Sequence, residues 1–210
     1  RGDGKLAISM TDTKAFKMGE NVASTPGKVV FQNDLMQLIQ YQPTTKEVYK
    51  TPLLIVPPWI NKYYILDLRQ KNSFIRFALD QGHTVFVISW VNPDERHANK
   101  TFDDYLLEGP WAALGAIEQA TGEHDINLIG YCLGGTLTAS LLAWMAAKNE
   151  HRVKCVTFFT TLIDFSDPGE LGVFCDEEVV TNLEKKMAER GYLEGSDMAS
   201  TFNMLRANDL

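Results

Sequence analysis

The sequence predicts an α/β fold, a mostly parallel sheet with helices on both faces, from three observations. Short, almost wholly apolar runs recur at LLIVPP (53–58), TVFVISWV (84–91) and INLIGYC (126–132), as expected of strands buried on both sides. Helical stretches separate them, FIRFALDQG (74–82) and TFDDYLLEGPWAALGAIEQATG (101–122), each ending near a glycine that can act as a C-terminal cap. Strands alternating with helices require right-handed crossovers, and these pair successive strands in parallel.

The remaining elements follow in chain order. LAISM (6–10) and KVVFQNDLMQLIQYQP (28–43) read as antiparallel opening strands, TLTASLLAWMAAKNE (136–150) as a helix and VKCVTFFTTLI (153–163) as a further strand. From about Ser166 helical and turn signals continue without a comparable strand, so residues 1–165 are taken as the N-terminal part of a catalytic core and 166–210 as a cap or lid. No repeat or low-complexity segment is evident. The absence of any later strand predicts that the C-terminal part of the fold is missing.

Composition narrows the function. The chain has 210 residues, 45% hydrophobic and 22% charged, which suits one globular domain or most of one, and its formal net charge of -7 argues against a nucleic-acid partner. Three cysteines with no paired spacing suggest neither a disulfide framework nor a metal site, and fit a reducing, cytoplasmic setting. No run approaches the roughly twenty apolar residues of a membrane span, and RGDGKLAISM has no signal-peptide core.

The chemistry concentrates at LIGYCLGGTL (128–137). In the GxSxG nucleophile elbow a serine stands on a strained strand-to-helix turn. Here Cys132 takes that position, flanked by Gly130, Gly134 and Gly135, which permit tight backbone approach, and a following helix whose N-terminus favours a thiolate. Cys155, inside a strand, reads as core, and Cys175, beside Asp176, Glu177 and Glu178, sits where charge disfavours a thiolate. An acyl-transfer site also needs donors for an oxyanion: the Leu133 amide is the first, and in VPPWINKYY (56–64) Pro57 and Pro58 have none, leaving Trp59 and Ile60 as the earliest alternatives for the second.

The partners of a triad are harder to find. His83, His124 and His151 precede strands, at the edge opposite the elbow, and read as surface residues. His97 follows a strand on the correct edge but precedes the nucleophile, against the nucleophile, acid, histidine order of such enzymes, and Asp164 reads as a turn or capping carboxylate rather than the acid. Lys62 and Arg69, the cations nearest the 56–64 loop, read as solvated surface charges.

Taken together, PPWINKYYILDL (57–68), FVISWVNPDE (86–95), GYCLGGTL (130–137), TTLIDFSDPGELGVFCDEE (160–178) and FNMLRANDL (202–210) closely resemble the polyhydroxyalkanoate synthases, the class I type most nearly. The resemblance runs from about residue 25 onward. It implies an α/β-hydrolase fold with a mobile cap and an acyltransferase that polymerises (R)-3-hydroxyacyl-CoA, 3-hydroxybutyryl-CoA foremost, with Cys132 carrying the growing polyester as a thioester. It assigns the oxyanion donors to the backbone of Leu133 and Ile60. It further implies that the triad aspartate and histidine lie beyond the NDL motif, so that this fragment alone is inactive, and that the protein forms a homodimer through its cap at the granule surface in the cytoplasm, beside granule-surface proteins, without cofactor or metal. Two other readings compete with it. One is a cysteine hydrolase resembling the dienelactone hydrolases, the other a non-catalytic α/β scaffold.

Overall fold

The structure, a computed structural model, describes residues 12–169, 172 and 176–199. The strand expected at LAISM, Cys175 and the segment FNMLRANDL lie outside the described residues. Six strands form one sheet in the order β1-β2-β4-β3-β5-β6. The first two, β1 (Gly27–Gln32) and β2 (Met36–Tyr41), make the antiparallel pair expected of 28–43, turned around Asn33, whose Oδ1 accepts from the amides of Leu35 and Met36. Strand β2 then runs antiparallel to β4 (Val85–Trp90), whereas β4, β3 (Leu53–Val56), β5 (Ile126–Tyr131) and β6 (Val153–Phe159) are mutually parallel.

Period-two alternation explains why the central strands are almost wholly apolar. Leu54, Val56, Phe86, Ile88 and Leu128 face a layer supplied by helices α2 (Phe102–Leu106), α3 (Ala112–Thr121) and α4 (Leu133–Ala147), with Leu106, Leu114, Ile117, Leu137 and Leu141 buried there. Their neighbours Leu53, Ile55, Val85, Val87 and Ile129 point the other way, onto Ile75, Ala78 and Leu79 of α1 (Phe74–Asp80).

Three expectations need correction. The stretch 101–122 is not one helix: α2 and α3 are separated by a kink across Leu107–Trp111, because Pro110 has no N–H for the helical ladder and Gly109 departs to the non-helical φ -90, ψ -111. Cys155, expected in the core, is exposed, because β6 is the last strand in the order and no described element covers the sheet where the cysteine lies. His83, expected at the surface, is only partly exposed and stacks at 5.2 Å on Tyr49.

Beyond β6, helix α5 (Glu177–Arg190) is capped by Asp176, which accepts from the Val179 amide, and by Gly191 at φ 85. A further helical turn covers 195–199. Among the described residues no helix is long and apolar enough to cross a membrane.

Asp67 is the most deeply buried acidic side chain among the described residues, 1% exposed. Its carboxylate accepts from the hydroxyls of Thr25 at 2.6 Å and Ser73 at 2.5 Å, and its backbone carbonyl accepts from the Ala23 amide. A single carboxylate thus joins the segment before β1, the end of the 57–68 loop and the N-cap of α1. Charge-assisted hydrogen bonds of this kind are each worth about 1.5–3 kcal/mol. In the full-length protein Asp67→Ala is expected to lower unfolding free energy by roughly 1–3 kcal/mol in urea titrations, and an unchanged midpoint would show that the three segments are held by packing alone.

Candidate active site

Strand β5 ends at Tyr131 and α4 begins at Leu133, so Cys132 alone makes the turn. Its backbone sits at φ 54, ψ -124, a conformation that costs a non-glycine residue about 1–3 kcal/mol. Four hydrogen bonds and contacts hold it there. The Cys132 amide donates to the Phe159 carbonyl at the end of β6 at 2.9 Å, and its carbonyl accepts from the amides of Gly135 and Thr136 at 2.8 and 3.1 Å. Thr136 Oγ1 donates to the Leu162 carbonyl at 2.7 Å, tying the first turn of α4 to the chain leaving β6. The thiol is half-buried.

The glycines of the motif are needed for close approach. A Cβ on Gly130 would lie 2.6 Å from the Gly135 Cα, and one on Gly135 would lie 2.7 Å from Thr161 Cγ2 and collide with the threonine hydroxyl. A Cβ on Gly134 would strike the Val56 carbonyl and stand 2.7 Å from the Pro57 carbonyl carbon. The first turn of α4 is therefore in backbone contact with the end of β3 and the start of the next loop.

That loop carries the second expected donor. Residues 58–61 form a turn closed by a hydrogen bond from the Asn61 amide to the Pro58 carbonyl, with Trp59 and Ile60 at its corners. Leu133 is the first residue of α4, where a helix leaves its amides without intrahelical acceptors. Neither the Leu133 nor the Ile60 amide has a protein acceptor among the described residues. The geometry thus brings the Ile60 loop and the elbow against one another through Gly134.

Next to the loop is a cavity of about 810 Å³, lined by Trp59, Ile60, Phe102 and Tyr105 on one side and by Met187, Tyr192 and Leu193 after and within the end of α5 on the other. It reaches Ile60 but not Cys132. Lys62, at its margin, donates to Asn92 Oδ1 at 2.7 Å, and Lys100 pairs with Glu108 at 2.6 Å, so both cations are already engaged.

The structure disposes of the histidines. His97 is buried, with Nε2 at 3.1 Å from the Asp34 carbonyl, to which only an N–H can bond, and Nδ1 accepting from the Asp94 amide at 3.2 Å. Nδ1 thus holds the 94–97 turn and Nε2 ties that turn to Asp34, and the Arg96 guanidinium bonded to Asp94 pulls that carboxyl down to about 2. His83, His124 and His151 stand before β4, β5 and β6, at the opposite edge of the parallel sheet from Cys132. Asp164 is an exposed turn carboxylate accepting from the Ser166 amide, a bond that lowers its affinity for a proton. Among the described residues no group of three His, Cys, Asp or Glu side chains gathers as a metal site.

Sequence reasoning missed how the 57–61 loop is fastened. Trp90 Nε1 donates to the Pro57 carbonyl at 2.7 Å in a buried setting, and Trp59, Trp90 and Tyr105 stack around it at 5.4–6.4 Å. The signal available was the tryptophan closing VFVISW, an amphipathic ring whose N–H must find an acceptor once buried.

Comparison with known proteins agrees with this architecture. Residues 51–192 match the family described as alpha/beta hydrolase fold, and residues 1–78 match Poly-beta-hydroxybutyrate polymerase (PhaC) N-terminus. The chain is 57% identical to Poly(3-hydroxyalkanoate) polymerase subunit PhaC of Rhizobium meliloti and to Poly(3-hydroxyalkanoate) polymerase of Methylorubrum extorquens, in each case over 100% of this chain and 34% of the relative. It spans about a third of the length of those curated relatives. Of solved structures, the HSL-homolog EstE7 from a metagenome library aligns with 70% of this chain and 47% of its own at 15% identity and a TM-score of 0.47.

Backbone strain at the elbow makes a direct prediction. Cys132→Gly, which accepts φ 54 freely, is expected to be more stable than Cys132→Ala by about 1 kcal/mol in thermal or urea unfolding, the reverse of the usual order of the two residues. Equal stability, or the usual order, would mean that the turn is relaxed.

Proposed function

This chain belongs to the alpha/beta hydrolase fold family, and from that premise we propose that it is the nucleophile-bearing part of a polyhydroxyalkanoate synthase. The reaction is polymerisation of (R)-3-hydroxyacyl-CoA, of the 3-hydroxybutyryl type, with Cys132 as nucleophile. The observation that carries the reading is a cysteine raised on the strained strand-to-helix turn, φ 54, of a chain similar throughout to named polymerases.

Sulfur suits the first step. The Cys132 thiolate adds to the thioester carbonyl of the acyl-CoA, a tetrahedral oxyanion forms, and coenzyme A leaves as its thiolate. One thioester replaces another, so the step is nearly balanced in free energy and the acyl group stays activated, where a serine would have lowered it to an oxyester. The oxyanion is assigned to the Leu133 and Ile60 amides, and each such donor is typically worth a factor of about 100 to 1,000 in rate.

Chain growth follows from the second step. The 3-hydroxyl of another acyl unit loses its proton to a general base, attacks the enzyme-bound thioester and forms an oxyester, and the cysteine sulfur is released. The base is assigned to a histidine outside these 210 residues, with its aspartate, because His97 is fully engaged and the other three histidines stand at the far edge of the sheet. Water competes for the same thioester. The apolar flank of α5, where Val179, Val180, Leu183 and Met187 are exposed, is suited to excluding it when the cap closes and to homodimer contact. The rest of the reading places the enzyme at the granule surface in the cytoplasm, with granule-surface proteins as neighbours and no cofactor beyond the acyl-CoA substrate.

Intact-mass spectrometry of the full-length protein after brief exposure to 3-hydroxybutyryl-CoA tests this. The expected result is addition of whole acyl units, more than one per protein, with none on the Cys132→Ala variant. A single unit lost to water as free acid would favour a hydrolase. Product formed by the alanine variant would remove Cys132 from the mechanism.

A further inference from the structure

Pro57 and Pro58 deprive the start of the donor loop of two amides, so the loop can be anchored there only through its carbonyls. One anchor is the Pro57 carbonyl, which receives the Trp90 indole N–H at 2.7 Å in a buried environment. On the elbow side Gly134 packs directly on Val56 and Pro57, with no room for a Cβ. The Pro57 peptide is thus held between the last residue of β4 and the first turn of α4, three residues before Ile60.

The indole itself has little freedom. A Cβ on Gly109 would stand 2.9 Å from Trp90 Cζ3 and collide with Cη2, so the glycine at the kink between α2 and α3 forms the slot in which the ring lies. The segment is fixed in turn by Asn33, whose Nδ2 donates to the Glu108 carbonyl at 2.7 Å. Tyr105 at 5.4 Å and the edge of Trp59 at 6.4 Å close the remaining sides. The kink between α2 and α3 thus lies against the ring that bonds to the loop.

We propose that Trp90 is a positioning residue for acyl transfer: its N–H sets the turn 58–61 so that the Ile60 amide is presented to the oxyanion formed at Cys132. This rests on the function proposed above and deepens it. Trp90 touches neither substrate nor thiol in this role and acts through the Pro57 peptide.

The test uses the full-length protein with Trp90→Phe, and with Trp90 replaced site-specifically by 3-benzothienylalanine, which keeps the bicyclic shape but has sulfur where the indole has N–H. Two reactions of Cys132 are compared: acyl transfer from 3-hydroxybutyryl-CoA, and alkylation by iodoacetamide, a displacement of iodide that forms no oxyanion. With the fold verified by thermal unfolding, kcat is expected to fall about tenfold to a hundredfold with KM little changed, while alkylation keeps its rate. If the phenylalanine variant does not fold, the benzothienyl variant decides. Acyl transfer at the unmodified rate in a folded variant would overturn the proposal, as would a parallel loss of both reactions, which would place the damage at the thiol. Failure of the unmodified protein to acylate Cys132 would instead overturn the proposed function, and the positioning role with it.

Discussion

Everything at the elbow depends on keeping Cys132 at φ 54 against its own preference. A strained residue persists only where its surroundings over-determine it, and here they do so from three sides. Its amide is bonded to the end of β6, its carbonyl caps the first turn of α4, and β5 behind it is paired on both edges, with β3 and with β6. The strain is small beside the combined cost of disrupting those pairings.

The glycines convert that local constraint into a relation between distant segments. Gly134 lets α4 sit on the carbonyl end of β3, which is why the loop after β3 begins against the elbow rather than at some distance from it. The other end of the same loop is fixed by a different interaction, the buried Asp67 carboxylate with Thr25 and Ser73. A twelve-residue loop with a hydrogen-bonded anchor at each end has far fewer conformations than a free one, so in the proposed acyl transfer its amides would not have to be ordered when charge develops.

Legibility from sequence followed the range of the interactions. LLIV and VFVI announced buried parallel strands because the signal is local composition, and the Gly130, Cys132, Gly134 pattern announced the elbow because the turn and its steric demands lie within six residues. The break at Gly109 and Pro110 was less legible. Proline in a helix can kink it or end it, and the kink here falls at Gly109, where the missing Cβ leaves room for the ring of Trp90 on β4. Cys155 misled for a similar reason: its strand has a suitable sequence, but whether a face is covered depends on which helix lies over it. His97 had the right type and edge for a base, yet its bonds to Asp94 and to the Asp34 carbonyl, 63 residues earlier in the chain, reveal a fastening role that no local pattern encodes.

The division of labour between directional and non-directional forces follows from these cases. Apolar burial on both faces decides that the sheet exists and which way each strand faces, but it is indifferent to displacements of an ångström along the sheet. Acyl transfer is not indifferent to them, since an amide aimed at a carbonyl oxygen gives little when aimed beside it. The segments that must be accurate are accordingly the ones held by hydrogen bonds: Cys132 to Phe159, Trp90 to Pro57, Asp67 to Ser73. All three bonds span different elements, and each ends on the loop or the turn that the proposed chemistry uses. The core supplies a rigid platform, and a small set of directional bonds converts it into a site.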